Sequence, residues 1–210
     1  MDGLLFITHK TERFGYIEGA KAVLEGGCRR VQLRMKDEPV EAVLETARTL
    51  KAVCDGYGAD LYIDDYPDVA MQVGARGVHL GKNDMAPGDA RRMMGDGFVI
   101  GGTANTFEDM VRLKEQGVDY IGLGPFRFTQ TKKNLSPILG LEGYGRLIGQ
   151  CRDAGFVLPV VAIGGITAAD IPALMSVGVS AIALSSSILS ATDPVSETKK
   201  IIEIINNSER

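Results

Sequence analysis

In the segment QLRMK, Gln32, Arg34 and Lys36 alternate with Leu33 and Met35. In an extended chain that spacing sends the three polar side chains to one face. Two cations beside an amide suit a diphosphate carried on a polar ring, although a solvated, charged strand end has the same pattern. Further along, Asp64, Asp65 and Asp84 supply carboxylates. Mg²⁺ is usually held by one or two carboxylates, with water and substrate phosphate completing its shell, so acids from adjacent strand ends fit it. Ca²⁺ fits less well, because there is no EF-hand loop or dense oxygen cluster. The plainer use of the same acids is turn and cap chemistry, with Asp84 capping the helix that follows it and Asp64 or Asp65 simply exposed.

The segment GPFRFTQTKKNLSPILG is a connection of about 15 residues, longer than most, and it carries Thr129, Thr131, Lys132 and Lys133. Hydroxyls beside lysines are good partners for phosphate oxygens, and the Gly and Pro content allows a lid; a surface insertion is the alternative. AIGGI and the later SSS place Gly164, Gly165, Ser185 and Ser186 where backbone N–H groups and hydroxyls can approach an anion. Thr103 ends another apolar run and could donate a hydrogen bond. His9 and His79 lie in or at the end of apolar runs, where a hydrogen-bonded structural role is at least as expected as catalysis. No Walker A pattern, no GxGxxG opening the first helix and no His–carboxylate metal spacing occurs.

These residues fall at the ends of short β-rich runs that recur at the spacing of a βα unit. Eight strands are expected: Leu4 to His9, Arg30 to Arg34, Leu61 to Asp64, Gly77 to Leu80, Phe98 to Thr103, Tyr120 to Gly124, Pro159 to Gly165 and Ala181 to Ser186. Helical periodicity lies between them, as over Glu41 to Cys54, Thr106 to Gln116 and Ile171 to Val177. EGGCRRVQLR, QVGARGVHL, EQGVDYIGL and SVGVSAIAL repeat a glycine helix end just before a strand. Eight such units predict an α/β chain folded as a single (β/α)8 barrel, with a doubly wound open sheet as the alternative. In a barrel the C-terminal strand ends form the active site, and the loops after strands seven and eight often bind phosphate.

The 210 residues are 45% hydrophobic and 24% charged, which suits one domain over residues 1–210. A net charge of −4, with acids and bases mixed, argues against nucleic-acid or anionic-membrane partners. The start MDGLLFITHK is too acidic and too short in apolar run for a secretory signal, and no stretch is long enough to span a membrane, so a cytoplasmic protein is expected. Cys28, Cys54 and Cys151 lack the close spacing of a metal or redox pair and are expected to be reduced.

In the order QLRMK, DDYPDVAMQVGARGVHLGKNDM, IGGTANT, GPFRFTQTKK with LGLEGY, and PVVAIGGI followed by SSSIL, the chain resembles the thiamine phosphate synthase family, which also includes thiazole tautomerases. The resemblance covers almost the whole chain. It implies that Gln32, Arg34, Lys36 and Lys132, with Asp64 beside them, hold a pyrimidine methyl diphosphate, with Arg34, Lys36 and Lys132 catalytic. It implies Mg²⁺ on Asp65 and Asp84, Thr103 against the pyrimidine, and Thr129, Thr131, Gly165, Ser185 and Ser186 on a thiazole phosphate. The implied reaction is dissociative: the CH₂–O bond to diphosphate breaks, and thiazole nitrogen attacks the resulting carbocation. Three positions depart from the pattern. Asp64 stands where the family commonly has Asn, adding charge beside the diphosphate or a further metal ligand; Lys82 replaces a common Gln and is placed to offset that charge; Asn105 replaces a frequent His. Since Asn cannot shuttle a proton as a tautomerase requires, the resemblance favours the synthase branch. The rival readings are a tautomerase and a non-catalytic barrel that binds phosphorylated metabolites. A homo-oligomer is compatible with the sequence.

Overall fold

The computed structural model describes residues 2–128 and 137–208. Eight parallel strands close into one barrel in sequence order: β1 (Gly3–Ile7), β2 (Arg30–Leu33), β3 (Asp60–Asp64), β4 (Gly77–Leu80), β5 (Val99–Ala104), β6 (Tyr120–Leu123), β7 (Val160–Ile163) and β8 (Ala181–Leu184). β8 pairs with β1 from Gly3↔Ala181 to Phe6↔Leu184, which completes the ring. The eight-unit expectation holds, and the open-sheet alternative does not.

The helices lie between the strands: α1 (Tyr16–Glu25), α2 (Val40–Gly56), α3 (Pro67–Val73), α4 (Pro87–Met94), α5 (Phe107–Glu115), α6 (Gly140–Asp153), α7 (Ile171–Ser176), α8 (Ser186–Leu189) and α9 (Pro194–Ser208). Thr106 and Asp109 start α5 with a reciprocal capping box, in which Thr106 Oγ1 accepts from the Asp109 N–H at 3.2 Å. The glycines expected at the helix ends, Gly27, Gly74, Gly117 and Gly178, all have positive φ.

Alternation along each strand divides the apolar residues into two cores. Outward residues such as Phe6, Val31, Leu33, Ile63, Val78, Ile100, Ile121 and Ile182 pack against the helices. A smaller inner cluster, Leu5, Ile7, Tyr62, Tyr120, Val161, Ala181 and Ala183, fills the barrel itself. Toward the C-terminal strand ends the inward positions turn polar, with Gln32, Asp64 and His79 all buried and Thr103 half-buried.

Several strands stop earlier than the sequence suggests. β1, β2, β7 and β8 end at Ile7, Leu33, Ile163 and Leu184 rather than at His9, Arg34, Gly165 and Ser186. At β7 the chain turns out of the ladder at Gly164 and Gly165, whose φ values are 96° and 68°. After β8 it enters α8 directly.

Candidate active site

The acids and cations of strand ends two to four converge at the barrel mouth. Asp64, the last residue of β3, is buried and accepts a 2.8 Å hydrogen bond from Gln32 Nε2; its other oxygen lies 3.4 Å from Arg34 Nε. Its charge is thus already balanced inside the protein. Asp65 has φ 69°, a left-handed conformation that Asp tolerates better than most side chains. The carboxylates of these two neighbours have different partners. Asp65 Oδ2 sits 3.1 Å from Lys36 Nζ, and Asp84 Oδ2 lies 3.9 Å from the same ammonium. Gln32, Arg34 and Lys36 therefore do serve one place, even though the last two lie beyond the strand.

Asp84 is not the helix cap that its position allowed: α4 starts at Pro87 after Ala86, and Asp84 accepts instead from the Gly81 N–H at 2.6 Å. Burial, then the charge of Asp64 and a hydrogen bond with Asp84, push the Asp65 carboxyl up to about 7. Burial raises Asp84 too, but the bond from Asp65, the Gly81 N–H and Lys36 outweigh it and leave its pKa low. On Lys36 burial works downward, and the charges of Asp65, Asp64 and Asp84 overcome it and raise its pKa. One proton is thus kept on a crowded acid pair near neutrality.

Asp65 Oδ1 is buried with no hydrogen-bond partner among the described residues. Such an atom is costly unless something binds it. Among the described residues no group of three or more His, Cys, Asp or Glu side chains is arranged to enclose a metal by itself. A pair of carboxylates with one orphaned oxygen fits an ion that takes its other ligands from water and substrate, as Mg²⁺ does.

Across the mouth, a cavity of about 300 Å³ is lined by Thr8, Arg34, Phe128, Gly165, Ser185 and Ser186, among others. Ser185 Oγ is buried there, also without a partner among the described residues. Gly165 has φ 68°, and a Cβ on it would lie 2.8 Å from the Phe128 carbonyl oxygen, so only glycine fits. Arg127 ties this turn down: Nη1 donates to the Gly165 carbonyl at 2.7 Å, and both Nη atoms reach Asp170, at 3.0 and 2.8 Å. That hydrogen bond leads in lowering Asp170 to about 2.

Thr8, Phe128, Arg127 and Asp170 were not picked out from the sequence. Thr8 was findable, because it directly follows β1 within the expected Leu4 to His9 run, and its Oγ1 accepts from the Arg34 N–H at 3.1 Å. The Arg127–Asp170 pair joins separate units and leaves no local signal. Thr129, Thr131, Lys132 and Lys133 lie outside the described residues.

One expectation about the departures changes, and the place of another becomes visible. Lys82 does not offset Asp64; its Nζ pairs with Asp109 Oδ2 at 2.5 Å, because the α5 capping box has brought that carboxylate to the same loop. The Asn105 side chain donates to the Gly124 carbonyl and its N–H donates to Asp109 at 3.0 Å, so Asn105 braces the loops after β5 and β6. No helix among the described residues is long and apolar enough to cross a membrane.

Comparison with known proteins agrees over nearly the whole chain. A family model described as thiamine monophosphate synthase matches residues 4–188. A thiamine-phosphate synthase of Bacteroides fragilis is 55% identical over 204 residues, which is 97% of this chain and 100% of that protein. Another, from Caldivirga maquilingensis, is 36% identical over 90% of this chain and 88% of its own. The solved thiamine phosphate pyrophosphorylase of Pyrococcus furiosus superposes with a TM-score of 0.85 at 30% identity, covering 99% of this chain and 97% of that one.

Proposed function

The chain belongs to the thiamine monophosphate synthase family, and we propose that it joins a pyrimidine methyl diphosphate to a thiazole phosphate, forming thiamine phosphate and releasing pyrophosphate. The observation that carries this reading to particular atoms is the division of the barrel mouth. Gln32, Arg34 and Lys36 meet Asp64, Asp65 and Asp84 in one part, and the cavity holding Gly165, Ser185 and Ser186 forms the other, with Arg34 lining both.

Arg34 and Lys36 bind the diphosphate and stabilise the charge that grows on it as the CH₂–O electron pair departs. Lys132 joins them from the loop after β6, and Gln32 and Thr103 hold the pyrimidine. Asp65 and Asp84 would hold Mg²⁺, which when bound supplies positive charge to the diphosphate oxygens. Ser185 Oγ, Ser186 and the Gly165 backbone hold the thiazole phosphate, together with Thr129 and Thr131. Both substrates are then anchored by their phosphates, which brings the thiazole nitrogen lone pair to the pyrimidine carbon. No protein nucleophile takes part. Because Arg34 and Gln32 already balance Asp64, its charge does not count against substrate binding in the way a free carboxylate would. Asn105 cannot act as the acid or base of a tautomerase, and its amide is committed to the Gly124 carbonyl.

We take the whole chain as one barrel domain, its partners as small phosphorylated molecules and its compartment as the cytoplasm; Cys28, Cys54 and Cys151, all free and buried, support that compartment. The test is pyrophosphate release by the purified protein with both substrates and Mg²⁺, omitting each component in turn. Release that needs the pyrimidine diphosphate and Mg²⁺ and falls to a slow side reaction without thiazole phosphate, with thiamine phosphate formed when all three are present, is expected. Isomerised thiazole phosphate without release would replace the synthase reading by a tautomerase, and binding without turnover by a sensor.

A further inference from the structure

A line of three polar side chains crosses the barrel interior, and the reaction as described uses only its last member. His79 Nδ1 lies 3.1 Å from Tyr120 Oη, and His79 Nε2 lies 2.9 Å from Thr103 Oγ1. Tyr120 is wholly buried, and His79 is buried beside it. Two inward glycines make room for the rings. A Cβ on Gly122 would lie 2.7 Å from His79 Cε1, and one on Gly101 would collide with the Tyr120 ring. Neither ring can turn away without breaking this packing.

The direction of each hydrogen bond follows from counting donors and acceptors. A buried phenol needs an acceptor for its hydrogen, and among the described residues Tyr120 Oη has one partner, His79 Nδ1. Burial raises the Tyr120 pKa well above its usual value, so the phenol keeps that hydrogen at neutral pH. Tyr120 therefore donates and Nδ1 accepts. A neutral imidazole then carries its hydrogen on Nε2 and donates it to Thr103 Oγ1. The opposite tautomer would strand the phenol hydrogen in a fully buried place. With one lone pair of Thr103 engaged by His79, the threonine's own hydrogen is free to point into the site.

We propose that His79, pinned by Tyr120, is a positioning residue that directs the Thr103 hydroxyl hydrogen to the pyrimidine substrate. A lone threonine hydroxyl can spend its hydrogen on any nearby acceptor; because His79 donates here, that hydrogen is kept for an acceptor on the substrate, such as a ring nitrogen or a diphosphate oxygen. The proposal rests on the reading that Thr103 faces the pyrimidine diphosphate.

One test needs no turnover and stands whether or not the chain is a synthase. The sequence has two histidines, so a ¹⁵N-histidine-labelled sample gives two imidazoles in long-range ¹H–¹⁵N spectra, and His9→Gln assigns them. His79 is expected as the Nε2–H tautomer, and Tyr120→Phe should move it toward a mixture. An Nδ1–H tautomer in the unaltered protein, or a spectrum that Tyr120→Phe leaves unchanged, would overturn the proposal.

The second test is kinetic. Tyr120→Phe and Thr103→Val should each raise KM for the pyrimidine diphosphate about tenfold, the size of one buried hydrogen bond, and leave KM for the thiazole phosphate unchanged. The double variant should be no worse than Thr103→Val alone, whereas multiplying effects would show that Tyr120 does not act through Thr103. His79→Gln, which can still donate to Thr103, should retain most of the affinity that His79→Leu loses. Equal losses in those two variants would also count against the proposal, and this comparison stands even if Tyr120→Phe fails to fold. If the unaltered protein forms no thiamine phosphate, the functional reading fails, and the tautomer measurement alone decides on His79.

Discussion

Asp64 and Asp65 are adjacent in sequence, yet the structure gives one of them internal partners and leaves the other under strain. Asp64 is held by Gln32 and Arg34, so Asp64→Asn should keep an oxygen for Gln32 while freeing Arg34 for the diphosphate. KM for the pyrimidine diphosphate should fall about twofold to fivefold, the range of one partly screened charge pair, as initial rates would show. Asp65 shows the reverse behaviour. Its pKa is raised in the folded protein, to about 7, so it binds its proton more tightly folded than unfolded. The associated stability is full at acid pH and is lost as pH rises through about 7. Metal-free Asp65→Asn should therefore melt higher than the unaltered protein at pH 8, with the gap closing toward pH 5; thermal melts at both pH values check this. The residues themselves were legible in the sequence, because period-two spacing and strand-end position single out Gln32, Arg34, Asp64, Asp65 and Asp84. Their pairing was not. Lys82 offered itself as the counter-charge to Asp64 until the fold brought Asp109 to it.

At the scale of elements, the turn after β7 depends on a clamp from another unit. Arg127 holds the Gly165 carbonyl and is itself held by Asp170. Arg127→Ala should loosen that turn and raise KM for thiazole phosphate severalfold, with kcat changed little, since Arg127 acts on the turn and not on the diphosphate. Gly165→Ala should be worse, with activity down at least about tenfold by the same assay, because positive φ and the nearby Phe128 carbonyl both oppose a methyl group. The order of elements could be read from the repeated strand and glycine-ended helix. Where strands stop could not, since an apolar or small residue continues a strand pattern just as well after the backbone has left the ladder, as Gly164 and Gly165 do.

Over the whole molecule, the two cores do different work. The outer core binds helices to barrel, and Phe6 on the closing strand β1 is wholly buried in it. Phe6→Ala should lower the unfolding free energy by about 3–5 kcal/mol in denaturant titration. The inner core is small and apolar below, with Tyr62 and Tyr120 packed edge to face at ring centroids 6.4 Å apart, and the polar groups proposed to face substrate sit above it. That floor has a consequence for fidelity. In the proposed reaction a pyrimidine cation formed above it would be closed to solvent from beneath, so water could capture it only from the open side, where the thiazole is proposed to bind. The shortfall between pyrophosphate released and thiamine phosphate made should then appear as a hydroxymethyl pyrimidine by-product. It should grow as thiazole phosphate is withheld and vanish as it saturates, so the second substrate is also the stopper.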